Sequence, residues 1–394
     1  MQKAFLQPLI KSITMKHNMK FYPVGNGDCC LVNIGGPTKK MMFDCNFRQK
    51  AENDDDEMFD VLDDLINHEL TKKYGLPFLD AFLLTHPDQD HCRGFGDKFF
   101  LGDPDFINDS DKKKGKILIS ELWYSPRIFE EYTIDLSDDA NAFKNEAARR
   151  MELYKNNKKK AEREGNRIRI IGWTDSKDLE GLEDRITVPG NLISEVNGSK
   201  CNYFEMFIHA PFKKDIENAD RNETSIVSQL RFKSDKKDAP IARAFLAGDA
   251  EWHVWDTIMT VNKNDDFLKW DLLEAPHHCS YTFFADDRED EPNQASLDFL
   301  DKREEGAFVV SSSKVIKQNS DNPPCQKAKN RYVERVGEDN FFCTSGISED
   351  EADKSLVFVI EDGAIALSDD KKKESDSKAT IAKETKPHYY GQRF

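Results

Sequence analysis

Three apolar runs in this chain, LDAFLLTH (79–86), ARAFLAGD (242–249) and WDLLEAPHH (270–278), pass straight into histidine or aspartate. Such unbroken apolar stretches read as buried strands. A buried strand that ends in ionisable groups constrains the fold severely, because desolvating an unpaired carboxylate costs several kcal/mol even after relaxation. Something must compensate, and next to these acids only Arg93 offers a positive side chain. A divalent cation does better, since aspartate oxygens and neutral imidazoles are its usual ligands and its charge keeps the carboxylates ionised. Two ions roughly 3.5–4 Å apart would account for so many converging groups.

The first run continues as THPDQDHCRGF, which packs His86, Asp88, Asp90 and His91 into six positions. Alternate residues of an extended strand end share a face, so His86, Asp88 and Asp90 point one way while the turning chain swings His91 in behind them. Gly94 and Gly96 let the backbone bend as a helix begins. Four of the nine histidines, His86, His91, His277 and His278, lie in the first and third runs. His17, His68, His253 and His388 stand alone and read as surface or packing residues.

At 394 residues, with 38% hydrophobic and 33% charged residues and 27 Phe, the chain reads as a soluble globular protein with long charged loops. No apolar run reaches the roughly 18 residues of a membrane span. The opening MQKAFLQPLIKSITMKHNMK lacks a signal-like apolar core and cleavage site, and the eight cysteines form no CxxC pair or disulfide framework. These features place the protein in the cytoplasm, with no membrane partner. A formal charge of −16 argues against coating nucleic acid by bulk attraction. The segment ARRMELYKNNKKKAEREGNRIR (148–169) is nevertheless strongly basic; it reads first as a solvated helix face and second as a phosphate-contacting insertion.

Strands are expected over MKFYPVGNGDCCLVNIGG, KKMMFDCN, LDAFLLTH, ILISELWYSP, SIVSQLRF, ARAFLAGDAE, WDLLEAPHH, GAFVVSSS and SLVFVIED, and helices over 57–70, 139–164 and EWHVWDTIM. Residues 1–18 read as an N-terminal extension and 367–394 as a disordered charged tail.

These residues carry a family resemblance. THPDQDHCRGF resembles the HxDxDH variant of the metallo-β-lactamase signature, characteristic of the metallo-β-lactamase domain of ComEC-type competence proteins and their soluble relatives. VGNGDCCLV, MMFDCN, RNETSIVSQL, FLAGDAE and LLEAPHHCS follow in the family's order, so the resemblance spans roughly residues 19–366. It implies an α/β (α+β) chain folded as a four-layer αββα sandwich, with the metals at one open edge and a charged, variable helical insertion at about 102–200 that selects substrate.

The resemblance further implies two divalent ions, zinc or manganese. His86 and Asp88 would face one ion, Asp90 and His91 the other, with Asp249 bridging and His277 completing the second site. His278 would lie adjacent and contact substrate, so that Asp90 and His278 carry catalytic roles. His209 in FIHAPF and Asn222 are candidates for a further ligand. Asp28 and Asp44 match polar positions that would orient the histidines. Cys45 and Asn46 replace the usual Thr-Gly, Cys279 replaces a Gly, and SSSKVIKQNSDNPP lacks the family's histidine, changes that touch substrate contacts rather than ligands.

The function so implied is a metal-dependent hydrolase, a phosphodiesterase or nuclease acting on DNA or RNA through a metal-activated hydroxide. A protein partner would supply recognition, since no recognition module is visible. The alternative is a hydrolase of the same fold acting on a small phosphoester, cyclic nucleotide or ester. A non-catalytic adaptor would require a broken ligand set.

Overall fold

The computed structural model describes residues 16–368 apart from 36–37, 49–57, 131–134, 219–220, 235–236, 321, 347–353 and 362. Of the charged tail expected at 367–394, residues 369–394 lie outside the described residues, His388 among them, as do residues 1–15 of the extension expected at 1–18.

The apolar runs of the first half build one sheet. β1 (His17–Phe21), β2 (Cys30–Ile34) and β3 (Lys39–Phe43) form an antiparallel meander. β4 (Leu76–Leu84), β5 (Leu118–Tyr124), β6 (Arg167–Ile171) and β7 (Ile186–Thr187) continue it in parallel. The chain then crosses to a second sheet, where β8 (Leu192–Ile193), β9 (Phe204–Ala210), β10 (Val227–Ser234) and β11 (Lys237–Leu246) are antiparallel. β12 (Trp270–Glu274), β13 (Arg303–Lys314) and β14 (Phe341–Ser345) join β11 in parallel. β15 (Leu356–Glu361) and β16 (Ala364–Leu367) return to the first sheet beside β1.

Alternation along the strands sorts side chains into three cores. Met41, Phe43, Ala81 and Leu83 meet Ala244, Leu246, Leu272 and Val310 between the two sheets. The intervening Met42, Phe82 and Leu84 face outward and are covered by helices, as are Phe245, Leu273 and Val309 on the opposite side. On the first sheet the covering helices are α1 (Gln89–Cys92), α2 (Phe95–Lys98) and α3 (Asp138–Asn156). On the second they are α4 (Trp252–Val261), α5 (Gln294–Leu300) and α6 (Gln326–Val336). The result is a four-layer αββα sandwich, in which burial on both faces favours strands that are mostly apolar.

Two sequence readings change. The helix expected over 57–70 is a single α-turn at Val61–Asp63 that runs into a π-helical turn at Asp64–Glu69. The wider turn suits acids five residues apart: Lys20 pairs with both Asp64 (2.5 Å) and Glu69 (3.0 Å), and Leu70 N bonds Leu65 O at 2.7 Å. The helix expected over 139–164 ends at Asn156, because Asn157 leaves the helical region and caps a separate turn at Lys158–Ala161. Residues 102–200, where a charged and variable helical segment is expected, supply β5, β6 and β7 of the first sheet and the helix that covers it.

The basic segment is largely neutralised from within. Arg150 is buried and bonds Glu146 and the carbonyls of Ile119, Ser120 and Arg167. Arg149 also pairs with Glu146, Lys158 with Asp184, Lys160 with Asp103, and Arg163 with Asp105, while Arg167 bonds Asn197 and Arg169 lies over Trp123. No helix among the described residues is long and apolar enough to cross a membrane.

Phe82 packs against Phe95, Phe99 and Phe143 at centroid separations of 5.4, 5.2 and 6.2 Å. Phe82→Ala should lower unfolding free energy by about 3–5 kcal/mol in urea titrations. Phe106→Ala, at a residue 75% exposed, should change it by less than about 0.5 kcal/mol. Equal midpoints for the two variants would contradict this core assignment.

Candidate metal centre

Parallel pairing aligns the carboxyl ends of β3 and β4 in one sheet and of β11 and β12 in the other, so the polar residues beyond them gather at one edge. Beyond β3, Asp44 adopts φ +53°, and its carboxylate accepts Thr85 N at 2.7 Å and Thr85 Oγ1 at 2.5 Å. Beyond β11, Gly248 stands at φ +49°, and a Cβ there would lie 2.7 Å from Thr85 Oγ1, so only glycine fits. Beyond β12, His277, His278 and Cys279 are all left-handed, at φ +51°, +51° and +66°. Three such residues in succession cost about 1–3 kcal/mol each, strain that persists where surrounding contacts over-determine it. Here His277 N bonds Gly248 O at 3.0 Å, Ala275 N bonds Val310 O at 2.7 Å, and Tyr281 N bonds Asn322 Oδ1 at 2.8 Å.

This turn delivers two adjacent imidazoles to one carboxylate. Asp249 Oδ2 lies 3.5 Å from His277 Nε2 and 3.6 Å from His86 Nε2. Asp249 Oδ1 lies 3.1 Å from His91 Nε2 and 3.6 Å from His278 Nε2. Asp90 Oδ2 and Asp28 Oδ1 approach the two nitrogens of His278 at 3.3 and 3.2 Å, and Asp88 Oδ2 lies 3.9 Å from His86.

Hydrogen bonds on the far side of the rings set their tautomers. His91 Nδ1 donates to Asp44 Oδ2 at 2.8 Å. The Thr85 hydroxyl already donates to Asp44, so the 3.2 Å contact with His86 requires Nδ1–H of that ring to donate. The Thr282 hydroxyl donates to Ser280, which donates to Asn322, so His277 Nδ1 must donate to Thr282 at 3.0 Å. All three rings therefore turn Nε2 towards Asp249, the arrangement that outer partners impose on metal-binding histidines.

The buried Nε2 atoms of His86, His91 and His278, and Asp249 Oδ1, make no hydrogen bond of good geometry among the described residues. Ligand atoms of Asp28, His91, Asp249 and His278 all lie within 4.8 Å of one another, and these four residues form a buried cluster that could bind a metal ion. The donors fit such an ion: orphaned imidazole nitrogens and carboxylates in a dry site are compensated by a cation.

Burial alone would raise the Asp249 carboxyl, but the surrounding imidazoles, His91 foremost, hold it well below the usual carboxylate range. Burial alone would lower His91 and His278, but Asp249 and Asp28 outweigh it and hold both well above the ordinary imidazole range. His86 is pushed well below that range by burial and by His91. Burial raises Asp44 to about 6 despite its bond to His91.

The structure thus brings His86, Asp88, Asp90, His91, Asp249 and His277 together, and adds Asp28 and His278 as central members where the sequence reading set them at the margin. The imidazoles divide differently from expectation, because His277 shares Oδ2 with His86, and His278 shares Oδ1 with His91. His209 is not part of the cluster: it is buried beneath Phe245 and bonded to Asn262. Asn222 begins a short turn, and its neighbour Arg221 is the residue that reaches the site, with Nε 2.9 Å from Asp88 Oδ1. Nothing in the sequence spacing flags Arg221, which lies far along the chain from Asp88. Arg93 is exposed.

No family model matches the chain, and no curated protein does. Among solved structures it is similar to a crystal structure of a protein of unknown function from Enterococcus faecalis V583, at 13% identity and a TM-score of 0.29. The match covers 72% of this chain and 55% of that one, so this chain spans about 55% of that protein's length.

Without metal, His91 and His278 hold protons that coordination must displace. Calorimetric titration with Zn²⁺ in buffers of differing ionisation enthalpy should therefore register proton release. Affinity should strengthen as pH rises from about 6 to 8, and Asp249→Ala should remove uptake. Affinity that weakens over that range, or full uptake by the variant, would count against a metal centre here.

Proposed function

We propose that this chain is a metal-dependent hydrolase of phosphodiesters, with nucleic acid as its substrate class, as its resemblance to the ComEC-type metallo-β-lactamase domain implies. One observation carries the reading: each oxygen of Asp249 faces two imidazole Nε2 atoms. That pattern suits two divalent ions, zinc or manganese, with Asp249 between them. His86, His277 and Asp88 would hold one, and His91, His278, Asp90 and Asp28 the other. Ions held there would supply Lewis acidity and an activated water.

The chain's own residues do the remaining work. Asp44 and Thr85 fix the tautomers of His91 and His86 and hold both rings against Asp249. Asp90 has the most exposed carboxylate facing Asp249 through the histidines, at 36%, and lies at the mouth of the cluster. Burial would raise its carboxyl, but His278 and His91 hold it well below the usual range, so it stays ionised at neutral pH, as a carboxylate that faces a cation or orients a bound water must. His278, buried behind it, positions that carboxylate.

A second reading, hydrolysis of a small phosphoester, cyclic nucleotide or ester, draws on the basic segment 148–169. Its cations are engaged by Glu146, Asp103, Asp105 and Asp184 and offer little to a polymer's phosphates. A nucleic acid would then be delivered by a protein partner.

Metal-loaded protein should cleave labelled single-stranded DNA, duplex DNA or RNA, and bis(p-nitrophenyl) phosphate. The Asp90→Ala/His91→Ala double variant should fall to background, and Asp44→Asn should lose about 10–100-fold. Turnover of the chromogenic diester without nucleic acid cleavage selects the second reading. Undiminished turnover in the double variant removes both.

A further inference from the structure

The segment SSSKVIKQNSDNPP, which begins in the last turns of β13 and lacks the family's histidine, borders the metal centre at both of its ends. At its start, Gly27 N bonds Ser312 O at 3.3 Å and Lys314 N donates to Asn26 Oδ1 at 3.2 Å, which ties it to the loop that carries Asp28. At its end, Asn322 Oδ1 accepts Ser280 Oγ at 2.9 Å and Tyr281 N at 2.8 Å, which ties it to the turn that carries His277 and His278. Whatever approaches the cluster from this side meets the side chains of this segment.

Those side chains are cationic. Lys314 and Lys317 are exposed, and Arg48 is half-buried beside them. A Cβ on Gly25 would lie 2.6 Å from Arg48 Nη1 and 4.0 Å from Lys314 Cε, so two positive side chains meet over one bare glycine. Among the described residues none of the three cations has an ion-pair partner, and the guanidinium of Arg48 bonds only the Val24 carbonyl, at 3.4 Å. Asp60 lines a shallow pocket with Arg48, but its carboxylate is turned to Asp63 N at 2.9 Å. The basic segment 148–169 is different, because Glu146, Asp103, Asp105 and Asp184 engage its cations. Like charges brought together repel. In a chain of formal charge −16, uncompensated cations grouped on one rim create a local positive potential that draws an anion there. Cations spread along a rim outside the cluster suit a ligand with several charges in a row, and the planar fork of Arg48 suits phosphate oxygens.

We propose that Arg48, Lys314 and Lys317 hold the phosphate backbone of a nucleic acid strand beside the phosphodiester at the metal centre. The inference rests on the phosphodiester reading of that centre and deepens it by naming the residues that grip the polymer.

Fluorescence anisotropy of a labelled single-stranded DNA oligonucleotide, titrated with the full chain in EDTA to prevent cleavage, tests this without turnover. Arg48→Ala/Lys314→Ala/Lys317→Ala should weaken binding at least tenfold. The slope of log affinity against log salt should become shallower by about 2, since each phosphate contact on a single strand contributes about 0.7. Lys314→Ala/Lys317→Ala, confined to exposed positions, should already weaken binding about threefold. Lys113→Ala/Lys159→Ala/Lys177→Ala, which removes the same charge at exposed positions elsewhere, should leave affinity and slope unchanged. No binding by the unaltered chain, equal weakening in both triple variants, or equal affinity for polyglutamate overturns the proposal. If bis(p-nitrophenyl) phosphate is hydrolysed in that case, the hydrolase reading survives alone. Binding that depends on the rim, in a protein that hydrolyses nothing, supports the rim and removes the hydrolase.

Discussion

Asp249 sits buried among four imidazoles, and the charge balance around it sets the terms for everything else at this edge of the molecule. A lone carboxylate in that position would be neutralised by protonation. Here His91 and His278 carry the opposing charge, and both are themselves fully enclosed. Asp28 and Asp90 add further negative charge around His278, leaving a cluster in which acids and imidazoles share a dry space with several nitrogens unbonded. Removing one partner from such a cluster leaves the rest uncompensated, which is why its members cannot be considered singly.

The sandwich exists in a form that can tolerate this cluster. Strands buried on both faces are apolar along most of their length, and parallel pairing in both sheets brings their polar ends to one side. Local strain is concentrated there as well: Asp44, Gly248 and the three residues 277–279 are all left-handed. Bonds from Thr85, Gly248 and Asn322 hold these conformations in place. Cys279 occupies a backbone region that favours glycine, and it does so as a buried member of the outer core against the second sheet.

Much of this was legible in the chain itself. The apolar runs from LDAFLLTH to SLVFVIED became strands because burial on both faces leaves an unbroken hydrophobic pattern. Readings failed where periodicity was not the deciding force. At 64–69, pairing of Lys20 with acids five residues apart accompanies a π-turn in place of an α-helix. At 148–169 a run of cations looked solvent-facing, yet Arg150 is buried against three carbonyls, which come from β5 and β6 and not from its own helix. His209 resembled a ligand by residue type and is instead buried against Phe245 and bonded to Asn262.

The amino-acid sequence alone determined which residues are capable of holding charge at strand ends, since residue type and hydrophobic pattern are local properties. Only the tertiary structure decided how they are shared out. Which imidazole meets which oxygen of Asp249, that Arg221 pairs with Asp88, and that Asp28 belongs to the cluster all depend on distances between segments far apart in the chain. Those distances follow from the packing of two sheets against each other, and no spacing along the chain encodes them.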